Sequence, residues 1–103
     1  FIDIFRQLPN VGCLIDTGHM NLSGWDFTHV ISSLSDRIYA YHINDNDGIA
    51  DSHQPVGKGI INWENFFAAY KKYPPNAEMV LEYKGATVPE IVSNADMIRG
   101  MLK

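Results

Sequence analysis

Six side chains in this sequence could share one piece of chemistry: Asp16, His19, His42, Asp51, His53 and Glu82. The apolar run Val11-Gly12-Cys13-Leu14-Ile15 stops at Asp16-Thr17-Gly18-His19, Ile38-Tyr39-Ala40-Tyr41 stops at His42, and Met79-Val80-Leu81 stops at Glu82. Mixed carboxylates and imidazoles suit zinc, manganese or cobalt better than magnesium or calcium, which prefer oxygen ligands throughout. Each residue also has a structural use: an aspartate can cap the next turn, a histidine can be satisfied inside a core, and a glutamate can pair with a cation. Recurrence favours the joint reading. Three short apolar strands that each end at a metal-capable group, with helical patterns between them, describe parallel barrel strands whose C-terminal ends carry a site.

The elements that must position these groups follow from periodicity. Phe1, Ile4, Phe5 and Leu8 fall at helical spacing, Pro9-Asn10 breaks the pattern, and a strand is expected over about 11–16. Alternation puts Gly12, Leu14 and Asp16 on one face. A loop is expected over 20–25, then a helix with the stripe Phe27, Val30, Ile31 and Leu34, from which His29 departs. In the strand over 38–43, Ala40 shares a face with His42, while Tyr39 and Tyr41 point the other way. Residues 44–61 form a long loop rich in Asp, Asn and Gly that holds Asp51 and His53, and loops of that length in compact domains are commonly functional. Asn62 caps a helix with the stripe Trp63, Phe66, Phe67 and Tyr70, which Pro74-Pro75-Asn76 ends. A strand over about 78–83 follows. Thr87 and Glu90 then form a capping box, with Pro89 in the first turn, ahead of Ile91, Ala95, Ile98 and Leu102.

The order αβαβαβα fits three βα units, the share of roughly 250 barrel residues expected of strands six to eight. Leu14, Ala40 and Val80 would face the barrel interior, and three parallel strands alone would leave two open edges. The chain opens on Phe1 within a helical pattern, so residues 1–103 are expected to be the C-terminal part of a single barrel domain in a longer protein. The net charge of -4 comes without a basic run, Lys71-Lys72 being the only adjacent cations, so nucleic acid is not the expected partner. No apolar run approaches the roughly 20 residues that span a bilayer, and the start lacks the basic-then-apolar order of a signal peptide. With the single cysteine, Cys13, this makes a reducing, cytoplasmic address the default expectation.

Asp16-Thr17-Gly18-His19, His42-Ile43-Asn44-Asp45-Asn46, Asp51-Ser52-His53, Gly57-Lys58-Gly59 with Trp63, and Leu81-Glu82 closely resemble the C-terminal half of the xylose-isomerase-like TIM barrels. That superfamily contains the sugar phosphate isomerases and epimerases and the endonuclease IV-type AP endonucleases. The resemblance covers nearly the whole chain. In the epimerase-type members it implies that Asp16, His42 and Glu82 bind one divalent metal with a fifth-strand glutamate that this chain lacks, while His19 contacts substrate. In the endonuclease-type members it implies that all six residues help to hold three zinc ions. The stretch between His42 and Asp51 is shorter than the endonucleases lead one to expect and holds no basic residue, which favours the sugar branch.

The resemblance therefore implies a metal-dependent isomerase or epimerase for a sugar or polyol, using manganese, zinc or cobalt. Glu82 would act as both ligand and proton-transfer carboxylate. His19 and His53 would hydrogen-bond substrate oxygens, their tautomers fixed by Asp51 or Asp45, and Lys58 could meet a substrate phosphate or carboxylate. The rest of the barrel is the expected structural partner, and a homo-oligomer is compatible with this reading. Trp25 and Trp63 read as packing residues beside helical stripes; Met20 could contribute a hydrophobic wall, but is not among the expected site residues. The alternatives are zinc-dependent cleavage of abasic DNA and a barrel relative without catalysis.

Overall fold

A computed structural model describes residues 7, 11–73 and 77–103. The expected opening helix, its Pro9-Asn10 break and the Pro74-Pro75-Asn76 stop lie outside the described residues. Strand β1 spans Cys13–Asp16, helix α1 Thr17–Ser23, α2 Phe27–Leu34, β2 Ile38–Ile43, α3 Trp63–Lys72, β3 Glu78–Leu81 and α4 Val88–Met101. The strands form one parallel sheet in the order β1-β2-β3. Each crossover carries helix or loop over the same face, as βα units require.

Two local expectations are corrected. The segment after Asp16 is helix rather than loop as far as Ser23, because the Asp16 side chain accepts the His19 amide (2.9 Å) and caps the helix with no intervening turn. This helix has one buried apolar side chain, Met20, which sits in the core. A seven-residue helix with a single such anchor leaves no periodic pattern to read. The second correction concerns β2. Cys13 pairs with Ile38 but Leu14 with Ala40, so the ladder skips Tyr39. That irregularity turns Tyr39 outward (61% exposed) while Tyr41 is buried in the core (2%), so the two tyrosines do not share a face.

Cys13, Ile15, Ile38, Tyr41 and Ile43 pack beneath α2 and α3. Phe66 is the hub, fully buried, with edge-on contacts to Phe27, Tyr41, Trp63 and Phe67 at centroid distances of 5.3, 5.4, 5.6 and 5.3 Å. The opposite face of the sheet is thinner. Leu14 and Val80 are each 39% exposed there, whereas Ala40 is buried. Both expected caps form: Asn62 accepts the Asn65 amide and Thr87 the Glu90 amide. Only Ile98 of the α4 stripe is fully buried, and Val88, Val92 and Met97 of that helix are exposed. No helix among the described residues is long and apolar enough to cross a membrane.

Candidate metal centre

Parallel register builds the site. Asp16 lies opposite His42 and His42 opposite Val80, so Glu82, two residues beyond Val80, rises from the same face of the sheet. The Glu82 amide donates to the Ile43 carbonyl (3.0 Å), extending the ladder one step past β3 and fixing the glutamate's backbone. One ligand atom from each of Asp16, His42 and Glu82 lies within 4.8 Å of the others, and all three residues are half-buried. His42 Nδ1 and Glu82 Oε1 are 2.9 Å apart. Two carboxylates and an imidazole at this spacing fit a zinc-like or manganese-like ion, whose ligand bonds run to about 2.0–2.3 Å.

His19, Asp51 and His53 assemble a second group. Asp51 joins the two rings, its Oδ2 3.0 Å from His19 Nε2 and its Oδ1 3.2 Å from His53 Nε2. The hydrogen bond to Asp51, and then the Asp16 charge, raise the His19 pKa above the ordinary imidazole value. For Asp51, partial burial pushes upward, but the His19 hydrogen bond and the nearby His53 outweigh it and hold the carboxyl below its usual range. His53 also bridges the two groups, since its Nδ1 lies 3.1 Å from the Glu82 carbonyl oxygen. A carbonyl oxygen can only accept, so Nδ1 carries the proton in this contact. His53 stands at φ 50, a left-handed conformation that is uncommon for a residue with a side chain.

Asp51 thus lies against both rings, while Asp45, the other carboxylate expected to orient them, meets neither. Asp45 is fully buried and turns away from both histidines towards the loop that follows it. Trp63 is core and donates to Asp45, and Trp25 is 42% exposed. Lys58 lines a groove with Pro55, Glu90 and Asn94 and makes no ion pair with Asp51 or Glu82.

Sequence reading missed the polar frame around Asp16. Asn44 Nδ2 donates towards both Asp16 oxygens (3.3 and 3.4 Å), and Asn44 itself is locked by Thr17, whose hydroxyl takes the Asn44 amide (3.0 Å) and meets its carbonyl (2.8 Å). Asn46 Nδ2 donates to the Gly18 carbonyl (3.0 Å), and its Oδ1 accepts from Asn21 (2.6 Å). Asn44, Asp45 and Asn46 are all fully buried. The signal was the polar run directly after a strand, in a segment whose composition otherwise reads as an exposed loop.

The fold and the strand-end triad together define a class. The family model of the xylose isomerase-like TIM barrel matches residues 1–101, and the chain belongs to that family. An uncharacterised protein of Methanocaldococcus jannaschii is 30% identical over 103 residues, covering 98% of this chain and 39% of the relative. A probable endonuclease 4 of Protochlamydia amoebophila is 40% identical over 78 residues, covering 58% of this chain and 26% of the relative. The chain therefore spans well under half of either relative. A crystal structure of a D-tagatose 3-epimerase-like protein superimposes with a TM-score of 0.78 at 24% identity, over 90% of this chain and 35% of that one, a likeness of fold.

Proposed function

We propose that the intact protein is a divalent-metal-dependent isomerase or epimerase acting on a sugar or related polyol. In this reading residues 1–103 are the C-terminal part of its barrel domain and supply strands six to eight. The observation that carries it is the convergence of Asp16, His42 and Glu82 at three adjacent strand ends. These residues would hold manganese, zinc or cobalt, with a further ligand from outside this chain. When bound, such an ion polarises a substrate carbonyl and acidifies the neighbouring C–H.

The chain's own groups then divide the work. Glu82 is one of the carboxylates that take and return the carbon-bound proton, its opposite number coming from outside residues 1–103. Its Oε1 faces His42 and its backbone is tied on both sides, through its amide to Ile43 and its carbonyl to His53, so its position is set before substrate arrives. His19, whose side chain is 63% exposed, presents an imidazole to substrate oxygens. His53 backs Glu82 and holds Asp51 in place. Lys58 would meet a substrate phosphate or carboxylate.

Zinc-dependent hydrolysis of abasic DNA is the second reading, favoured by the likeness to the probable endonuclease 4 and by the grouping of His19, Asp51 and His53. Charge weighs against it. Residues 44–61 carry Asp45, Asp47 and Asp51 against the single cation Lys58, whereas a DNA-facing loop gains affinity from cations that neutralise phosphates. The test incubates the intact, manganese- or zinc-loaded protein in deuterated water with a panel of ketoses, and separately with abasic-site DNA. Interconversion of a sugar with deuterium uptake, abolished by Glu82→Gln, is expected. Zinc-dependent incision of the DNA with every sugar untouched would move the protein to the second class.

A further inference from the structure

Asp45 is a fully buried carboxylate that the chemistry above leaves unused. It accepts four N–H donors, two at each oxygen. Oδ1 takes the amides of Asn46 (2.8 Å) and Ile61 (3.1 Å), and Oδ2 takes the Gly57 amide (3.1 Å) and the Trp63 indole Nε1–H (2.7 Å). These donors lie 1, 16, 12 and 18 residues along the chain, so one side chain gathers the two ends of the segment between β2 and α3. Backbone bonds reinforce it: Asp45 exchanges both its amide and its carbonyl with Gln54 (2.7 and 2.9 Å), and the Ile60 amide donates to Asn46 (2.8 Å). The Gly57-Lys58-Gly59 turn is shaped by the same carboxylate. Gly57 stands at φ 92, and a β-carbon on Gly59 would come within 2.4 Å of Asp45 Oδ1 and 2.2 Å of the Asn46 carbonyl oxygen.

The part of the loop so enclosed carries Asp51 and His53. Gln54, which Asp45 holds by two backbone bonds, adjoins His53, the residue with left-handed backbone and a ring directed at the Glu82 carbonyl. An unusual backbone conformation persists where its surroundings over-determine it. We infer that Asp45 is a positioning residue: by clamping Asn46, Gly57, Ile61 and Trp63, it fixes the loop arm that sets His53 against Glu82 and Asp51. Calling His53 and Asp51 site residues rests on the function proposed above, whereas the clamp itself is geometry that a nuclease would need equally.

The test reads the clamp without an activity assay. Ring nitrogen spectra of the intact protein, 15N-labelled at histidine and loaded with one equivalent of diamagnetic zinc, report at fixed pH which nitrogen of each imidazole carries the proton. In the wild type His53 is expected to show a protonated Nδ1. In Asp45→Asn one acceptor becomes a donor facing other donors, and the His53 pattern should give way to that of an unheld ring while His42 keeps its own. Trp63→Phe removes one of the four donors but keeps an aromatic ring in the core, and should move His53 in the same direction by a smaller amount. If Asp45→Asn does not fold, Trp63→Phe decides. An unchanged His53 in the folded variants, or His42 and His53 moving together as in general loosening, overturns the proposal. A wild type without sugar chemistry but with the His53 response would sink the functional reading and leave the clamp standing.

Discussion

The strand-end group of Asp16, His42 and Glu82 and the loop group of His19, Asp51 and His53 use the same side-chain types on different supports. In the first, two members face each other across a parallel ladder and the third extends it, so their separation is set by sheet geometry. In the second, one carboxylate links a ring on α1 to a ring on the loop, and the side chains are 63%, 39% and 19% exposed for His19, Asp51 and His53. A group on strands keeps a fixed distance, which suits an ion with short, inflexible bonds. In the loop group only the largely exposed His19 ring is open to adjust to a ligand, while His53 is tied to the Glu82 carbonyl. Glu82 belongs to both, through its side chain in one and its carbonyl in the other.

Gly18 offers the strongest way to break both groups at once, since it lies between Asp16 and His19. A β-carbon there would come within 2.0 Å of Asn44 Oδ1, an atom that is buried and has no hydrogen-bond partner among the described residues. The Asn44 side chain cannot swing clear without releasing Asp16, and its backbone cannot shift without breaking its bonds to Thr17. Gly18→Ala is expected to lower stability by about 1–3 kcal/mol, the usual range for overpacking, and to reduce bound metal as well. Thermal melts and metal analysis of the same preparation check this. A variant with unchanged melting and full metal content would show that the Asn44 frame is not what holds Asp16.

The contrast also explains what the sequence disclosed. Asp16, His42 and Glu82 were legible because each ends an apolar run, and a run's end is a local pattern that strand pairing turns into proximity. The alternation that grouped Tyr39 with Tyr41 failed because a ladder irregularity depends on the partner strand, and Cys13 and Leu14 give no local sign of it. Helix α1 escaped because it has a cap and one apolar anchor in place of a stripe. Asn44, Asp45 and Asn46 escaped for a different reason. Their partners include residues as distant as Thr17 and Trp63, and only the folded chain shows which donors and acceptors meet.

A smaller effect would sharpen the exposed group. In the metal-free protein the His19 pKa is raised and that of Asp51 lowered by their mutual contact. The raised histidine contributes stability that is fully present below its unfolded value, near 6.5, and is lost as pH rises through the folded value. The lowered aspartate contributes stability present above its unfolded value, about 3.9, and lost as pH falls through the folded one. Urea unfolding of wild type and Asp51→Asn should therefore differ most between roughly pH 4 and 6.5, and by no more than about 1 kcal/mol for so exposed a pair. A difference that stays constant from mildly acid to alkaline pH would mean that the contact does not form in solution.

We propose that the strand-end group holds the ion and that the loop group serves what binds beside it. Calorimetric titration of the metal-stripped intact protein with manganese or zinc tests this most directly, applied to the wild type, Glu82→Gln and Asp51→Asn. We expect one equivalent in the wild type and a loss of affinity beyond about 100-fold in Glu82→Gln, more than removal of an outer partner of a ligand costs. Asp51→Asn should keep that equivalent with affinity weakened by no more than about 10-fold. Tight binding that survives Glu82→Gln and disappears with Asp51→Asn would place the ion in the loop group instead.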